Sequence, residues 1–339
     1  MKERKILSFG EMLCRLASTG TESSRYGGTL SQYPGGAEAN VLALLGQWGL
    51  SCTFFTALPQ NELADKALQA LQSCGVNTDA VLRQGDRMGL YFLLAANGLS
   101  TGQVVYDRKH SAFSQLMPDT IDWEYLLKDY SWLHWSAISP ALNKQLAAVC
   151  REAMGTAKKM GLTISVDLNY RNRLWDYGKT PLEVMPELVQ YCDVVMGNIW
   201  AANKMLGTPL KEPELNRHTS QERYIAVTNE TAQALQQLYP NCQHTAFTFR
   251  FMDNPKHNLL FGTYHHQNHC YTSATYETQA LVDRIGSGDA FMAGLLYGLH
   301  HQLDGQSVVD FATSAAYQKL FVPGDFGDFT VSQVQQGIR

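Results

Sequence analysis

Short apolar runs alternate with helix-length segments along most of the chain, and no other feature limits its fold as much. Ile6 to Phe9, Cys52 to Ala57, Trp132 to Trp135, Leu162 to Asp167 and Cys192 to Met196 read as buried strands. Ala39 to Trp48, ended by Gly49, and Leu63 to Ser73, stopping before Gly75, read as helices. So do Leu142 to Met160 and Leu182 to Tyr191, with Pro186 limiting how early the last can start. Strands joined through helices of this length run parallel, and a parallel sheet must be covered on both faces. The pattern therefore predicts an α/β fold in three layers, a mostly parallel sheet between two sets of helices. Ligands of such sheets sit beyond the carboxyl ends of the strands. No Pro/Gly/Ser linker, low-complexity tract or repeat divides the 339 residues, so 1–339 is expected to form a single domain.

Two stretches, residues 12–36 and 87–107, break the alternation. They contain β-rich pieces, such as Met88 to Leu94 and Gly102 to Tyr106, with no helix of their own. They are expected to build a small antiparallel sheet that projects over the ligand edge as a lid.

Composition narrows the function classes. Charged residues are 17% of the chain and the net charge is −4, which gives no electrostatic case for nucleic acid or an anionic membrane as partner. No apolar run approaches the roughly 20 residues of a membrane span. The start, Met1 to Lys5 followed by only Ile6 and Leu7, lacks the apolar core of a secretory signal, so a cytoplasmic location is expected. The seven cysteines are scattered and none forms a CxxC pair, which predicts buried free thiols and neither a disulfide framework nor a zinc knuckle.

The strongest chemical signal is Asp283-Arg-Ile-Gly286-Ser287-Gly288-Asp289, which opens a helix of small and apolar residues. Glycines at 286 and 288 let backbone N–H groups turn to one point, and the helix start adds partial positive charge. That makes an anion hole suited to a phosphoryl group in transfer. Asp289, in the first turn, can take a proton from an attacking hydroxyl, and Asp283 can organise Mg²⁺ or phosphates. The plain alternative is a glycine-rich turn capped by a carboxylate. A second signal, Tyr33-Pro-Gly35-Gly36-Ala-Glu-Ala-Asn40, again sets glycines before a helix, with Asn40 placed to hydrogen-bond a hydroxyl.

Together these motifs resemble the two signatures of the ribokinase-like, PfkB-type carbohydrate kinases, in the same order and with β-rich lid segments where that family has them. The resemblance spans essentially the whole chain. It implies a three-layer ribokinase-like domain with a small β-sheet lid, and Gly35 and Gly36 in the sugar site. It also implies ATP as phosphoryl donor, Asp289 as base, and Gly286, Ser287 and Gly288 around the anion hole.

Within that family the chain is similar to the 2-keto-3-deoxygluconate kinases. Gly89-Leu-Tyr91-Phe resembles their lid strand, Tyr106-Asp-Arg108 their Tyr-x-Arg segment, Asp167-Leu-Asn169-Tyr-Arg171 their strand end, and Pro323-Gly-Asp325-Phe their C-terminal motif. The likeness implies substrate contacts from Tyr91, Tyr106, Arg108, Arg171 and Asp325, and phosphorylation of the terminal C6 hydroxyl. A sugar acid needs a compensating cation, and Arg108 and Arg171 can each offer a planar fork to its carboxylate. Nucleotide and phosphate contacts are expected from Asn169, Asn198, Thr248, Arg250, Asp283, Gly286 and Gly288, with Asp283 as metal residue.

The chain departs from the family at two points. Asn198-Ile-Trp-Ala201 stands where many members read Asn-x-x-Glu, a glutamate associated with Mg²⁺. Arg250 stands where glycine is usual on the nucleotide strand, and it can pair with a phosphate. The lid sheets of this family often meet across a dimer, so a homodimer is expected. Two other readings remain open: a kinase of another sugar, such as fructose or ribose, and a non-catalytic sugar-acid sensor.

Overall fold

The computed structural model describes residues 4–18, 29–94, 103–210 and 215–339. The chain leaves the first strand of the main sheet, β1 (Ile6–Phe9), for β2 (Leu13–Ser18) and β3 (Leu30–Gly35), then forms α1 (Ala37–Gln47). Next come β4 (Cys52–Phe55), the short β5 (Ala57–Leu58), α2 (Glu62–Ser73), β6 (Leu82–Arg83), β7 (Gly89–Leu94) and β8 (Gln103–Asp107). Alternation then resumes with α3 (Trp123–Leu127), β9 (Trp132–Ser136), α4 (Ser139–Leu142), α5 (Lys144–Lys159), β10 (Thr163–Asp167) and α6 (Pro181–Val189). It continues through β11 (Val194–Gly197), α7 (Ile199–Leu206), α8 (Gln221–Leu238) and β12 (His244–Phe251). Three further strands, β13 (Asn258–His266), β14 (His269–Thr272) and β15 (Tyr276–Thr278), precede α9 (Ser287–His300), α10 (Gly305–Lys319) and α11 (Val331–Gln336).

The nine-stranded main sheet has the order β14-β13-β12-β11-β10-β9-β1-β4, with β15 also on β13. It is parallel from β4 to β12 and antiparallel beyond. Its side chains feed two cores by strict alternation. Ile6, Trp132, Val194 and Met196 pack with α1, α2, α9 and α10, whereas Leu7, Phe9, Leu133, Trp135 and Val195 pack with α3, α5, α6, α7 and α8. The expected three-layer α/β sandwich is therefore present. Helices α9 and α10 approach closely because Gly294 carries no Cβ; one added there would lie 2.6 Å from the Ala312 Cα.

Three expectations need correction. The small sheet, in order β3-β2-β7-β8, is mixed rather than antiparallel, because β2 and β7 pair in parallel. The parts of the expected lid at 19–28 and 95–102 lie outside the described residues. The helix expected from Leu142 is two pieces, with Asn143 extended between them and capping α5 by accepting from the Leu146 N–H. Pro186 does not delay α6, which starts at Pro181 behind a Thr180–Glu183 capping box. The cysteines are free thiols, five of them buried. Among the described residues, no helix is long and apolar enough to cross a membrane.

Candidate active site

A cleft of about 640 Å³ opens at the carboxyl ends of the parallel strands, beneath the small sheet. Its floor comes from the turns after β9, β10 and β11, from the end of β12 and from the start of α9, while Tyr91, Tyr106 and Arg108 reach it from the small sheet. Helix α9 begins in a tight turn with Gly286 at φ +80°, a conformation other residues avoid. A Cβ there would also lie 2.4 Å from the Asp325 carbonyl oxygen. The amides opening α9 have no partner within the helix and remain for an anion. Ser287 does not face them with its hydroxyl, which donates to the buried Ala316 carbonyl.

Asp289 lies in the first turn of α9, partly buried in the cleft wall, and its Oδ2 accepts from Asn40 Nδ2 at 2.6 Å. The Asn40 oxygen accepts in turn from the Gly36 N–H at 3.3 Å, so the amide is oriented at both ends. Burial pushes the Asp289 carboxyl up to about 7, helped by Asp167 and Asp325 and opposed by the Asn40 bond and Arg171. A carboxyl titrating there is suited to accept a hydroxyl proton near neutral pH. Gly36 lines the cleft but Gly35 does not; a Cβ on Gly35 would lie 2.6 Å from an Asp325 carboxylate oxygen, so this glycine makes room for Asp325.

At the small-sheet end of the cleft, Tyr91 donates to Asp325 Oδ1 at 2.5 Å and faces Tyr106 across the β7–β8 pair. Arg171 is exposed on the cleft, donates to the Tyr170 carbonyl at 3.2 Å, and forms no ion pair among the described residues. Arg108 differs from the expectation of a free fork. It is buried against Glu11, with Nε and Nη2 each 2.6 Å from Glu11 Oε2, while Ser111 donates to the other oxygen. Asp167, held near 6 by burial, accepts from the Asn169 N–H at 2.9 Å.

At the β12 end of the cleft, Thr248, Asn198 and Arg250 line it with Arg284, a cation the sequence reading did not single out. The Asn198 oxygen caps α7 by accepting from the Ala201 N–H. Arg250 is exposed and donates from Nη1 to the Arg284 carbonyl at 3.3 Å. Asp283 is not in the cleft wall. Its carboxylate is taken by Arg15, by the Ile285 N–H and by the Gly324 N–H, which corrects the expectation that it holds metal or phosphate. Among the described residues, no group of three or more His, Cys, Asp or Glu is placed to hold a metal ion. The donor set thus does not fit a Mg²⁺ caged by protein side chains, whereas the arginines and the α9 amides fit a polyphosphate.

Arg15 and Glu11 also escaped the sequence reading. Both follow β1 within a few residues and point inward, a signal hidden because buried charges cannot be told from solvated ones by spacing.

The model of the pfkB family of carbohydrate kinases matches residues 3–326. The crystal structure of a 2-dehydro-3-deoxygluconokinase from Thermotoga maritima superposes with a TM-score of 0.88 at 33% identity, covering 98% of each chain. A 2-dehydro-3-deoxygalactonokinase of Haloferax volcanii is 24% identical over 99% of this chain and 96% of its own. A 2-dehydro-3-deoxygluconokinase of Bacillus subtilis is 24% identical over 94% and 90%. With the glycine turn, the buried carboxyl at its helix start and the overhanging small sheet all in place, the chain belongs to the pfkB family of carbohydrate kinases.

Proposed function

We propose that this kinase transfers the γ-phosphoryl group of ATP to the C6 hydroxyl of 2-keto-3-deoxygluconate. The observation that carries the substrate class is Arg171. It is a guanidinium with no acidic partner among the described residues, set in the cleft close enough to Asp289 to lower its carboxyl. A sugar-acid carboxylate satisfies that fork, and the names of the relatives support the same class.

In the reaction, Asn40 holds Asp289 facing the acceptor. The carboxylate takes the hydroxyl proton as the oxygen bonds to the γ-phosphorus and the bond to ADP breaks. The amides at Gly286–Gly288 face the charge that develops on the transferring group. Arg250 and Arg284 stand where the remaining phosphates need neutralising. Mg²⁺ belongs to this scheme as the companion of the nucleotide phosphates. Leu30, Leu94 and Val105, exposed on the small sheet, support the further reading that two copies meet there as a homodimer.

The test is ADP release with ATP and Mg²⁺ over both epimers of the keto-deoxy acid and a set of neutral sugars, with Asp289→Asn as control. Turnover limited to the acids supports the proposal; turnover limited to neutral sugars keeps the kinase and removes the substrate. That second reading, a kinase of a sugar such as fructose, is favoured by the pairing of Arg108 with Glu11, which leaves one free fork rather than two. Ligand binding without ADP formation would point instead to a sensor.

A further inference from the structure

The Arg15 side chain is only 2% exposed and reaches two carboxylates that lie far along the chain. Its Nη2 is 2.6 Å from Asp283 Oδ2, its Nε is 2.7 Å from Asp325 Oδ2, and its guanidinium lies 4.5 Å from the Tyr33 ring centroid. Tyr91 holds the other oxygen of Asp325. Thus β2, β3 and β7 of the small sheet all converge on this one cluster.

The two carboxylates bracket the anion-hole turn. Asp283 accepts from the Ile285 N–H at 3.0 Å and so shapes the approach to Gly286 from one side. From the other side, the backbone carbonyl of Asp325 lies against Gly286, where even a Cβ would not fit. Asp283 also accepts from the Gly324 N–H at 3.1 Å, which ties the Pro-Gly-Asp segment to the turn. The buried Lys319 nearby donates to the Val322 and Gly324 carbonyls, so it supports the segment but does not bridge the acids. Among the described residues, Arg15 is the one cation within ion-pair distance of both.

We propose that Arg15 is a positioning residue that couples the small sheet to the phosphoryl-transfer turn, holding Gly286–Asp289 in register only while the sheet is docked. The two halves of the bridge are unequal. Its Asp283 half is an aligned hydrogen bond, whereas the Nε and Asp325 Oδ2 are close but unaligned, each buried without a hydrogen-bond partner. Asp325 lines the cleft, so its Oδ2 can turn to an acceptor hydroxyl while the Asp283 half stays closed. Acceptor seating under the small sheet and readiness of the anion hole then become one event. The inference rests on the anion-hole reading of this turn.

The test is amide hydrogen exchange on the unliganded full chain carrying Arg15→Lys, which keeps the charge but cannot span two carboxylates. Exchange in 283–288 and in 89–93 is expected to rise together, by about tenfold or more. The same variant is expected to lose about ten- to a hundredfold in kcat, with the KM for ATP within about twofold. A rise confined to 13–18, with the turn and kcat unchanged, overturns the proposal. If Arg15→Lys does not fold, Asp283→Asn opens only the turn half of the bridge and is read by the same two measurements. Exchange needs no substrate, so its outcome is separate from whether the acceptor is a sugar acid.

Discussion

Asn40 and Asp289, 249 positions apart, meet through a 2.6 Å hydrogen bond from the asparagine amide to the carboxylate. The two glycine-bearing motifs that stood out in the sequence are therefore halves of one device. The first holds its amide by the Gly36 N–H, and that amide aims the carboxylate supplied by the second. Burial first, then Asp167 and Asp325, drive the carboxyl up, and the Asn40 bond restrains the rise so that it titrates at about 7.

This balance sets the pH profile. As the proposed base Asp289 acts only when ionised, so kcat is expected to rise with pH through about 7. Asn40→Ala removes a bond to the charged form, which moves the titration higher. The loss in kcat should then be large at pH 6.5 and smaller at pH 8.5, read from a full pH–rate series. Asp289→Asn should cost about 10²–10⁴-fold above pH 7, where the parent carboxylate is ionised, and less as pH falls below it. A flat profile for both the parent and Asn40→Ala would remove Asp289 from the base role.

The two glycines at the start of α9, Gly286 and Gly288, should not respond alike. Gly286→Ala forces φ +80° on an alanine and sets its methyl 2.4 Å from a backbone carbonyl that has nowhere to move. Lost turnover and a lower thermal midpoint are expected. A Cβ on Gly288 has nothing within 4 Å and needs no positive φ, so Gly288→Ala should keep its thermal midpoint, with any cost falling on ligand KM. Equal destabilisation by both would contradict the turn geometry.

The layers of the fold were legible because the parallel strands are buried on both faces and read as mostly apolar runs, as in Ile6–Phe9, where Ser8 is the one polar residue. The glycine turn and the carboxyl in the first turn of its helix were legible because local backbone demands leave local residue choices. The pairing of β2 with β7 was not, since it joins two segments more than seventy positions apart and no local pattern sets their relative direction. Arg108 lines the cleft and Asp283 does not, yet neither is the unpaired group that its motif suggested, for one shared reason. Each looked like a ligand in its own motif, but each is satisfied by a buried partner remote in sequence, Glu11 for one and Arg15 for the other.

Glu38 gives a stability test independent of turnover. It is fully enclosed beside Gly10, accepts from the Ser136 N–H and hydroxyl, and is pushed up to about 7, chiefly by burial. Its carboxyl is raised on folding, so between about pH 4.5 and 7 the native state holds more protons than the unfolded chain. Stability from this group is complete at the low end of that window and is lost as pH rises through it, by roughly 3 kcal/mol. Relative to the parent, Glu38→Gln should gain stability on going from pH 5 to pH 8 in denaturant titrations. A constant difference between the two proteins at both pH values would show that Glu38 does not titrate in this window.

Arg108 and Arg171 are expected to fail in different ways when replaced. Arg171 is exposed on the cleft and holds no carboxylate, so Arg171→Ala should leave the thermal midpoint nearly unchanged. If a sugar acid binds there, its KM should rise by at least about tenfold, the value of one charge-assisted hydrogen bond, with ATP affinity preserved. Arg108→Ala strips Glu11, whose side chain is 1% exposed, of its only ion-pair partner among the described residues. Leaving that carboxylate buried and unpaired should cost about 3–5 kcal/mol of stability. Replacing both partners, as Glu11→Gln with Arg108→Met, should recover much of the loss, since no lone charge remains. A midpoint that drops equally in the Arg171 and Arg108 variants would mean that Arg171 also serves the fold, and the case for an acidic substrate would lose its free cation.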